Sequence, residues 1–164
     1  MADIKNIAKE TAIYGVSSIL GKFLNWMLVP LYTYVLASSA EYGIVTNLYA
    51  WTALLLVVLT YGMETGFFRF ANKQDTEEDA KKVYSTTLIS ILATSVLFLV
   101  GIIFFSGNIA SSMGYAGYPE FIVMLAIVVA MDAIGSIPFA YLRYKKKPLL
   151  FASLKLLMIF SNIF

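Results

Sequence analysis

The chain has 164 residues, of which 60% are hydrophobic and only 13% charged, and its formal net charge is +2. Its mean hydropathy of +0.78 exceeds what a soluble domain of this size can bury, so we predict an integral membrane protein of the all-α class. Because it contains no Cys and no His, disulfides, thiolate chemistry, Cys/His metal sites and His-based general acids are excluded, and we expect no enzymatic activity, metal or cofactor.

Apolar residues form five segments, separated by charges or turn residues. Four segments reach the roughly 20 residues that a helix needs to cross a hydrocarbon core. The fifth is shorter and stops inside an apolar run, so we expect the chain to be a fragment cut within its fifth helix. The sequence therefore predicts one incomplete transmembrane helix bundle over residues 1–164. The predicted helices are residues 12–36, 44–66, 83–105, 121–142 and 149–164.

Basic residues mark one side of this predicted bundle. They precede helix one and follow helices two and four, whereas the loops 37–43 and 106–120 contain no Lys or Arg. Because Lys and Arg are retained on the cytoplasmic side of short loops, the N-terminus is predicted to be cytoplasmic. A cleaved signal peptide is the alternative for the first segment, but the apolar region of a signal peptide is shorter and lacks a central lysine.

Helix one carries a polar stripe around Lys22, which lies near the middle of the apolar segment. Ser18, Lys22 and Asn25 follow helical spacing and share one face. A charge at this depth faces protein, water or an anionic substrate, so we predict that these residues line a substrate cavity. Helix packing is the alternative, and it suits Ser18 better than Lys22. Pro30 removes a backbone hydrogen bond and predicts a kink that is either a hinge or a static bend.

Helix two and the loop after it contain acidic residues with two different predicted roles. Glu64 lies between Gly62 and Gly66, whose spacing predicts close packing of helices, and it is a candidate for ion coupling or charge pairing. Thr76 and Asp79 have the spacing of a capping box that starts helix three. A hydroxyl face follows, more typical of hydrogen bonding between helices than of a substrate path, and we assign it no specific role. Its residues are Thr86, Thr87, Ser90 and Thr94.

Asp132 in helix four lies at about the same depth as Lys22 when 1.5 Å per residue is counted from the cytoplasmic ends. Two roles stay open: a structural ion pair with Lys22, or a buried carboxyl that takes up and releases protons. The basic turn 143–148 can attract anionic lipid head groups, although orientation in the membrane alone explains most of its charge. It does not have the character of a nucleic-acid site. The sequence contains no phosphate-binding loop or nucleotide fingerprint, so ATP hydrolysis is not expected.

Several short patterns together identify a resemblance that covers nearly all of the chain. They are Lys5–Thr11 with Tyr14-Gly15, Pro30–Thr33, Glu41–Gly43, and Tyr61–Phe70. With these patterns the chain resembles the N-terminal part of Wzx-type bacterial polysaccharide flippases, which belong to the multidrug, oligosaccharidyl-lipid and polysaccharide exporter superfamily. The resemblance implies a transporter with two similar helix bundles and alternating access to a central cavity. The present chain would be most of the first six-helix bundle and would not transport on its own.

The same resemblance implies a substrate and partners. The implied substrate is an undecaprenyl-pyrophosphate-linked oligosaccharide, which crosses the bacterial cytoplasmic membrane and then meets the polymerisation or ligation machinery. Lys22 would pair with the pyrophosphate while the lipid tail stays in membrane lipid. A multidrug exporter half is the nearer alternative, but such exporters tend to carry an acidic residue in helix one, which has none here. A non-transporting membrane assembly subunit is the alternative from another class.

Overall fold

The computed structural model describes residues 8, 11–16, 18–20, 23, 27, 30, 34, 39–115 and 117–163. All regular structure in these residues is helical, which confirms the predicted fold class. Most of predicted helix one lies outside the described residues, although 11–16 and 18–20 are helical. The helices after it, named α1 to α5, are Ser39–Thr60, Met63–Ala71, Glu77–Ser112, Pro119–Tyr144 and Pro148–Ile163.

Three helical stretches in the described part of the chain are long and apolar enough to cross a membrane. They are Thr46–Ala71, Glu77–Ser112 and Pro119–Tyr144. Helix α3 has 36 residues, about 54 Å at 1.5 Å per residue, and so exceeds the roughly 30 Å hydrocarbon core. Its ends therefore extend beyond the predicted apolar segment 83–105, and much of the loop predicted at 106–120 is helical.

The predicted helix 44–66 is interrupted at Tyr61 and Gly62. Both residues have positive φ, 31° and 72°, and α2 begins at the next residue. Glycine adopts this left-handed conformation without a Cβ penalty, which explains why it occupies the position before α2. A Cβ built at Gly62 or Gly66 has no neighbouring atom within 4 Å. The described residues therefore show no close helix contact through this glycine pair, and Gly62 supplies a left-handed residue at the break between α1 and α2.

A short turn of residues 72–82, here called the capped turn, connects α2 to α3 and includes the first turn of α3. The Oγ1 of Thr76 accepts a hydrogen bond from the backbone N–H of Asp79 at 3.2 Å, and it donates one to Asp79 Oδ2 at 2.7 Å. This geometry confirms the predicted capping interaction at the start of α3. α2 folds back against α3, where the ring of Phe67 meets Tyr84 edge-on at 6.3 Å.

The chain divides into two compact units, Thr46–Ala140 and Met1–Val45 with Tyr141–Phe164. The core of Thr46–Ala140 joins residues of α1, α3 and α4, and most of the contribution of α4 is small side chains that allow helices to pack closely in a membrane. Its buried members are Leu59, Ile91, Val129, Ala130, Ala133 and Ile137.

The other unit has a smaller aromatic centre in its described residues. Phe151 of α5 is 4% exposed. The ring of Tyr14 packs edge-on against it, with centroids 5.1 Å apart. Burial of this phenylalanine fixes the first turns of α5, which follow directly on the end of α4.

Candidate functional site

The predicted cavity residues of helix one fall largely outside the described residues. Lys22 and Asn25 lie outside them, and Ser18 is helical and exposed. Pro30 is also helical and exposed, and its role as a hinge stays a prediction. The structure therefore places one member of the predicted stripe on a helix surface and leaves the cavity itself a prediction.

Asp132 lies near the middle of α4, about as far from Pro119 as from Tyr144. Its side chain is exposed, while Ala133 beside it and Val129 one turn earlier are completely buried. Asp132 therefore projects from the side of α4 that does not form the core. Its predicted pairing with Lys22 stays a prediction, because Lys22 is outside the described residues.

The charge of Glu64 is explained by its position at the start of α2. It is half-buried in the first turn of α2, and Arg69 lies in the last turn of the same helix. α2 is continuous through Gly66, so these two residues are about 140° apart around the axis. An acidic group at the start and a basic group at the end each stabilise the helix dipole. This accounts for Glu64 structurally and leaves its part in ion coupling a prediction.

A cleft of about 440 Å³ lies between α2 and the first turns of α3, and we call it the polar cleft. One wall consists of apolar and aromatic residues of α2, and the other consists of charged and hydroxyl residues of α3. Its lining residues are Met63, Gly66, Phe67, Phe70, Gln74, Asp79, Lys82, Val83, Thr86, Thr87 and Ser90. A cleft of this composition suits a ligand with both an apolar face and hydrogen-bonding groups.

The charged end of the polar cleft is neutralised within the protein. Lys82 Nζ donates a hydrogen bond to Asp79 Oδ1 at 2.9 Å, and Thr76 donates to the other carboxylate oxygen. These bonds and the Lys82 charge hold the pKa of Asp79 below its ordinary value of 3.8. Asp79 is half-buried and precedes the apolar segment that begins at Val83. The Lys82 charge at this end is therefore already partnered.

The hydroxyl groups of α3 bond to the helix that carries them. Thr87 Oγ1 donates to the carbonyl of Val83 at 2.7 Å, and Ser90 Oγ donates to that of Thr86 at 2.9 Å. Thr94 does the same with Ser90 at 3.1 Å. These bonds run within α3 and not between helices, which differs from the sequence-based expectation. Since each hydroxyl has used its proton, only lone pairs remain, and the cleft wall accepts hydrogen bonds from a ligand.

A second, apolar groove of about 700 Å³ lies among α1, α3 and α4. Its walls are almost entirely aliphatic and aromatic side chains, with Trp51, Phe98 and Phe105 as the largest. Near the groove, Asn47 of α1 donates a hydrogen bond to the hydroxyl of Tyr115, just after α3, at 3.0 Å. The groove offers a surface for hydrocarbon and has little capacity to bind a charged group.

Sequence reasoning missed the polar cleft. The cleft lies between α2 and α3, and α2 is a separate helix because the chain breaks at Tyr61 and Gly62. Positive φ at a tyrosine has no clear sequence signal. Gly62 was the available signal, but its spacing from Gly66 favoured an interpretation as a packing motif. No cluster of three or more potential metal-ligating side chains occurs in the part of the chain that the structure describes.

The chain was compared with known families, curated proteins and solved structures. Residues 35–164 match a family model described as a polysaccharide biosynthesis protein. No curated protein and no solved structure matches the chain. The family match includes α1 to α5, and with them both the polar cleft and the apolar groove.

Proposed function

Because the chain belongs to the polysaccharide biosynthesis protein family, we propose that it forms part of a transporter that moves a lipid-linked anionic oligosaccharide across the bacterial cytoplasmic membrane. The observation that carries this proposal is the family match over helices that are long and apolar enough to cross a membrane. The proposed role is translocation by alternating access without enzymatic chemistry. Its proposed partners are the lipid-linked substrate, membrane lipid and the machinery that polymerises or ligates the glycan.

Such a substrate makes two opposite physical demands. Its lipid tail is stable in hydrocarbon, whereas its phosphate groups lose hydration when they leave water. The apolar groove supports the first demand, because its walls are hydrocarbon side chains. The second demand needs a cation inside the membrane, and Lys22 is the basic residue placed in the middle of the first apolar segment.

The polar cleft supports a role in contacting the sugars. Sugar hydroxyls donate hydrogen bonds, and the cleft wall on α3 presents hydroxyl lone pairs from Thr87 and Ser90. Phe70 lines the opposite wall and is 57% exposed, so its ring is accessible to the apolar face of a sugar. With Lys82 already paired to Asp79, this cleft suits the neutral part of a glycan better than its phosphate.

The test uses the complete reading frame that contains this sequence, in a strain that lacks its own polysaccharide flippase and makes the matching glycan. We expect the native protein and Lys22→Arg to restore surface polysaccharide at matched membrane levels, and Lys22→Ala to lose at least tenfold. The reason is that a midplane charge that pairs with phosphate in transit has no substitute in alanine. Lys155→Ala is the matched control, since Lys155 is the other cation inside a predicted helix, and it should restore normally.

Each other outcome changes the proposal in a defined way. Restoration by Lys22→Ala at the native level would contradict the cationic cavity and leave Lys22 a structural residue. Equal losses in Lys22→Ala and Lys155→Ala would show that any lost intramembrane charge impairs the protein. Absence of restoration by the native protein, with resistance to cationic drugs gained instead, would replace glycan transport with drug export.

A further inference from the structure

The last segment of the chain carries a concentrated excess of positive charge. Residues 141–164 contain basic residues and no acidic one, and the nearest preceding acid is Asp132. The remainder of the same compact unit, residues 1–45, has three acidic residues, Asp3, Glu10 and Glu41, and as many basic ones. The basic residues of the last segment are Arg143, Lys145, Lys146, Lys147 and Lys155. The segment therefore adds five formal positive charges to a unit whose other side chains sum to zero.

Four of these cations form one turn with two tyrosines, residues 141–147, which we call the basic aromatic turn. The Nζ of Lys145 lies 5.8 Å from the ring centroid of Tyr141 and 6.0 Å from that of Tyr144. Cation–π attraction at these distances holds the ammonium against the rings. Lys146 and Lys147 are exposed. The turn therefore presents a fixed cation beside two that are open to the surroundings.

The backbone of this turn keeps a lysine where glycine is the favoured residue. The N–H of Lys147 donates to the carbonyl of Leu142, and that of Lys146 donates to Arg143, both at 3.0 Å. These two bonds form the Schellman motif that ends α4, with Lys146 in the left-handed position at φ 51°. Glycine adopts this conformation at lower cost. A strained position that keeps an exposed charge points to a use for that charge.

Apolar residues begin immediately after the lysines. Leu149 and Leu150 are 75% and 46% exposed, although they start an apolar helix. Side chains of this kind are stable in the acyl region of a bilayer, and lysines two or three residues earlier then reach the head-group layer. Along the chain, lysines come first and exposed leucines follow. This is the order in which charged head groups and acyl chains occur from the surface of a leaflet inward.

We propose that the basic aromatic turn binds the head groups of anionic phospholipids in the leaflet that borders it. Lys146 and Lys147 contact lipid phosphates, Lys145 is positioned by Tyr141 and Tyr144, and the leucines anchor the adjacent acyl chains. A soluble acidic protein or a nucleic acid fits less well, because the turn lies between two apolar helices. This inference does not depend on the proposed transport function.

The experiment measures lipid selectivity of the purified chain in phosphatidylcholine vesicles. Spin-labelled phosphatidylglycerol or spin-labelled phosphatidylcholine is added, and the motionally restricted fraction gives the relative association constant. We expect the native chain to prefer phosphatidylglycerol by about fivefold at low salt, the effect of roughly one well-placed basic residue near an anionic surface. The triple variant Lys145→Gln, Lys146→Gln, Lys147→Gln should lower this ratio to nearly one.

The capped turn supplies a control with the same number of lysines removed. This control is the triple variant Lys73→Gln, Lys81→Gln, Lys82→Gln. It should keep most of the preference for phosphatidylglycerol, because Lys82 is already paired with Asp79 and other acidic residues lie nearby in the sequence. Equal loss in the two triple variants would overturn the proposal in favour of diffuse attraction, and absence of any preference in the native chain would overturn it outright. If the first variant does not fold, the native chain alone provides the test. Screening by 0.5 M salt should abolish its preference for phosphatidylglycerol, and a preference that persists at this salt concentration would contradict the proposal.

Discussion

The capped turn and the basic aromatic turn each join two helices and each carry three lysines, but they use charge in opposite ways. In the capped turn, lysines stand on both sides of a run of Asp and Glu, and Lys82 forms an ion pair with Asp79 at 2.9 Å. In the basic aromatic turn there is no acid, and Lys145 lies against tyrosine rings. An excess of basic residues at a loop therefore does not by itself indicate a ligand. The local partners of each charged side chain determine whether it can bind one.

The two turns share one feature, a buried phenylalanine next to each. Phe67 is 1% exposed beside the capped turn, and Phe151 is 4% exposed beside the basic aromatic turn. Phe67 packs against Tyr84, whereas Phe151 contacts Tyr14 and the guanidinium of Arg143, which lies 6.0 Å from its ring centroid. The comparison predicts that hydrophobic anchoring is equal at the two turns and that only the polar chemistry differs.

The largest expected effect tests that shared anchoring. Phe67→Ala and Phe151→Ala should each lower the free energy of unfolding by about 3–5 kcal/mol, because each leaves a cavity in a packed region. The measurement is equilibrium unfolding of the purified chain in detergent micelles. Phe104→Ala is the control, since Phe104 is 81% exposed and leaves no internal cavity. A Phe151→Ala loss as small as that of the control would show that the basic aromatic turn is held differently.

The sequence predicted the features that depend on local spacing. The all-α class and the membrane helices follow from long apolar segments, and the capping interaction of Thr76 with Asp79 follows from residues three apart. The interruption at Tyr61 and Gly62 was not predicted, because uninterrupted apolar residues favour a continuous helix and left-handed backbone at tyrosine is rare.

The candidate site was less predictable than the fold, for a physical reason. The cost of burying a charge singles out Lys22 and Asp132 without any structure, but it does not determine which charges meet in three dimensions. The polar cleft needed knowledge of how α2 folds back against α3. The acceptors of the hydrogen bonds that the α3 hydroxyl groups donate were also not predicted, because a threonine or serine in a helix can donate either to its own helix or to a neighbouring one.

The next largest expected effect concerns the caps of the helices that follow the two turns. Thr76→Ala should lower the free energy of unfolding by about 1 kcal/mol, because it removes the side-chain cap of α3. Thr76→Ser should retain most of the stability that the cap contributes, because serine also has a side-chain oxygen at this position. Lys147→Ala, at the corresponding position before α5, should change little, because a lysine side chain has no acceptor with which to cap the first N–H groups of that helix.

The pH dependence of this cap has a defined sign. The pKa of Asp79 is lower in the folded chain than its ordinary value of 3.8, so the carboxylate stabilises the fold above that value. This contribution is lost as the pH falls through the lowered pKa. The stability difference between the native chain and Thr76→Ala should therefore shrink in acid, and a difference that grows in acid would contradict the observed hydrogen bonds.

The smallest expected effect separates stability from lipid binding at a single residue. Lys146→Gly should raise the free energy of unfolding by about 0.5–1 kcal/mol, because glycine accepts the left-handed backbone at this position without Cβ strain. Gly62→Ala, which places a Cβ on a residue with φ of 72°, should lower the free energy of unfolding by a similar amount. If lipid binding is what retains Lys146, the more stable Lys146→Gly chain should also show a weaker preference for phosphatidylglycerol. A gain in stability with unchanged lipid selectivity would leave the strain at Lys146 without that explanation and would assign the preference to Lys145 and Lys147.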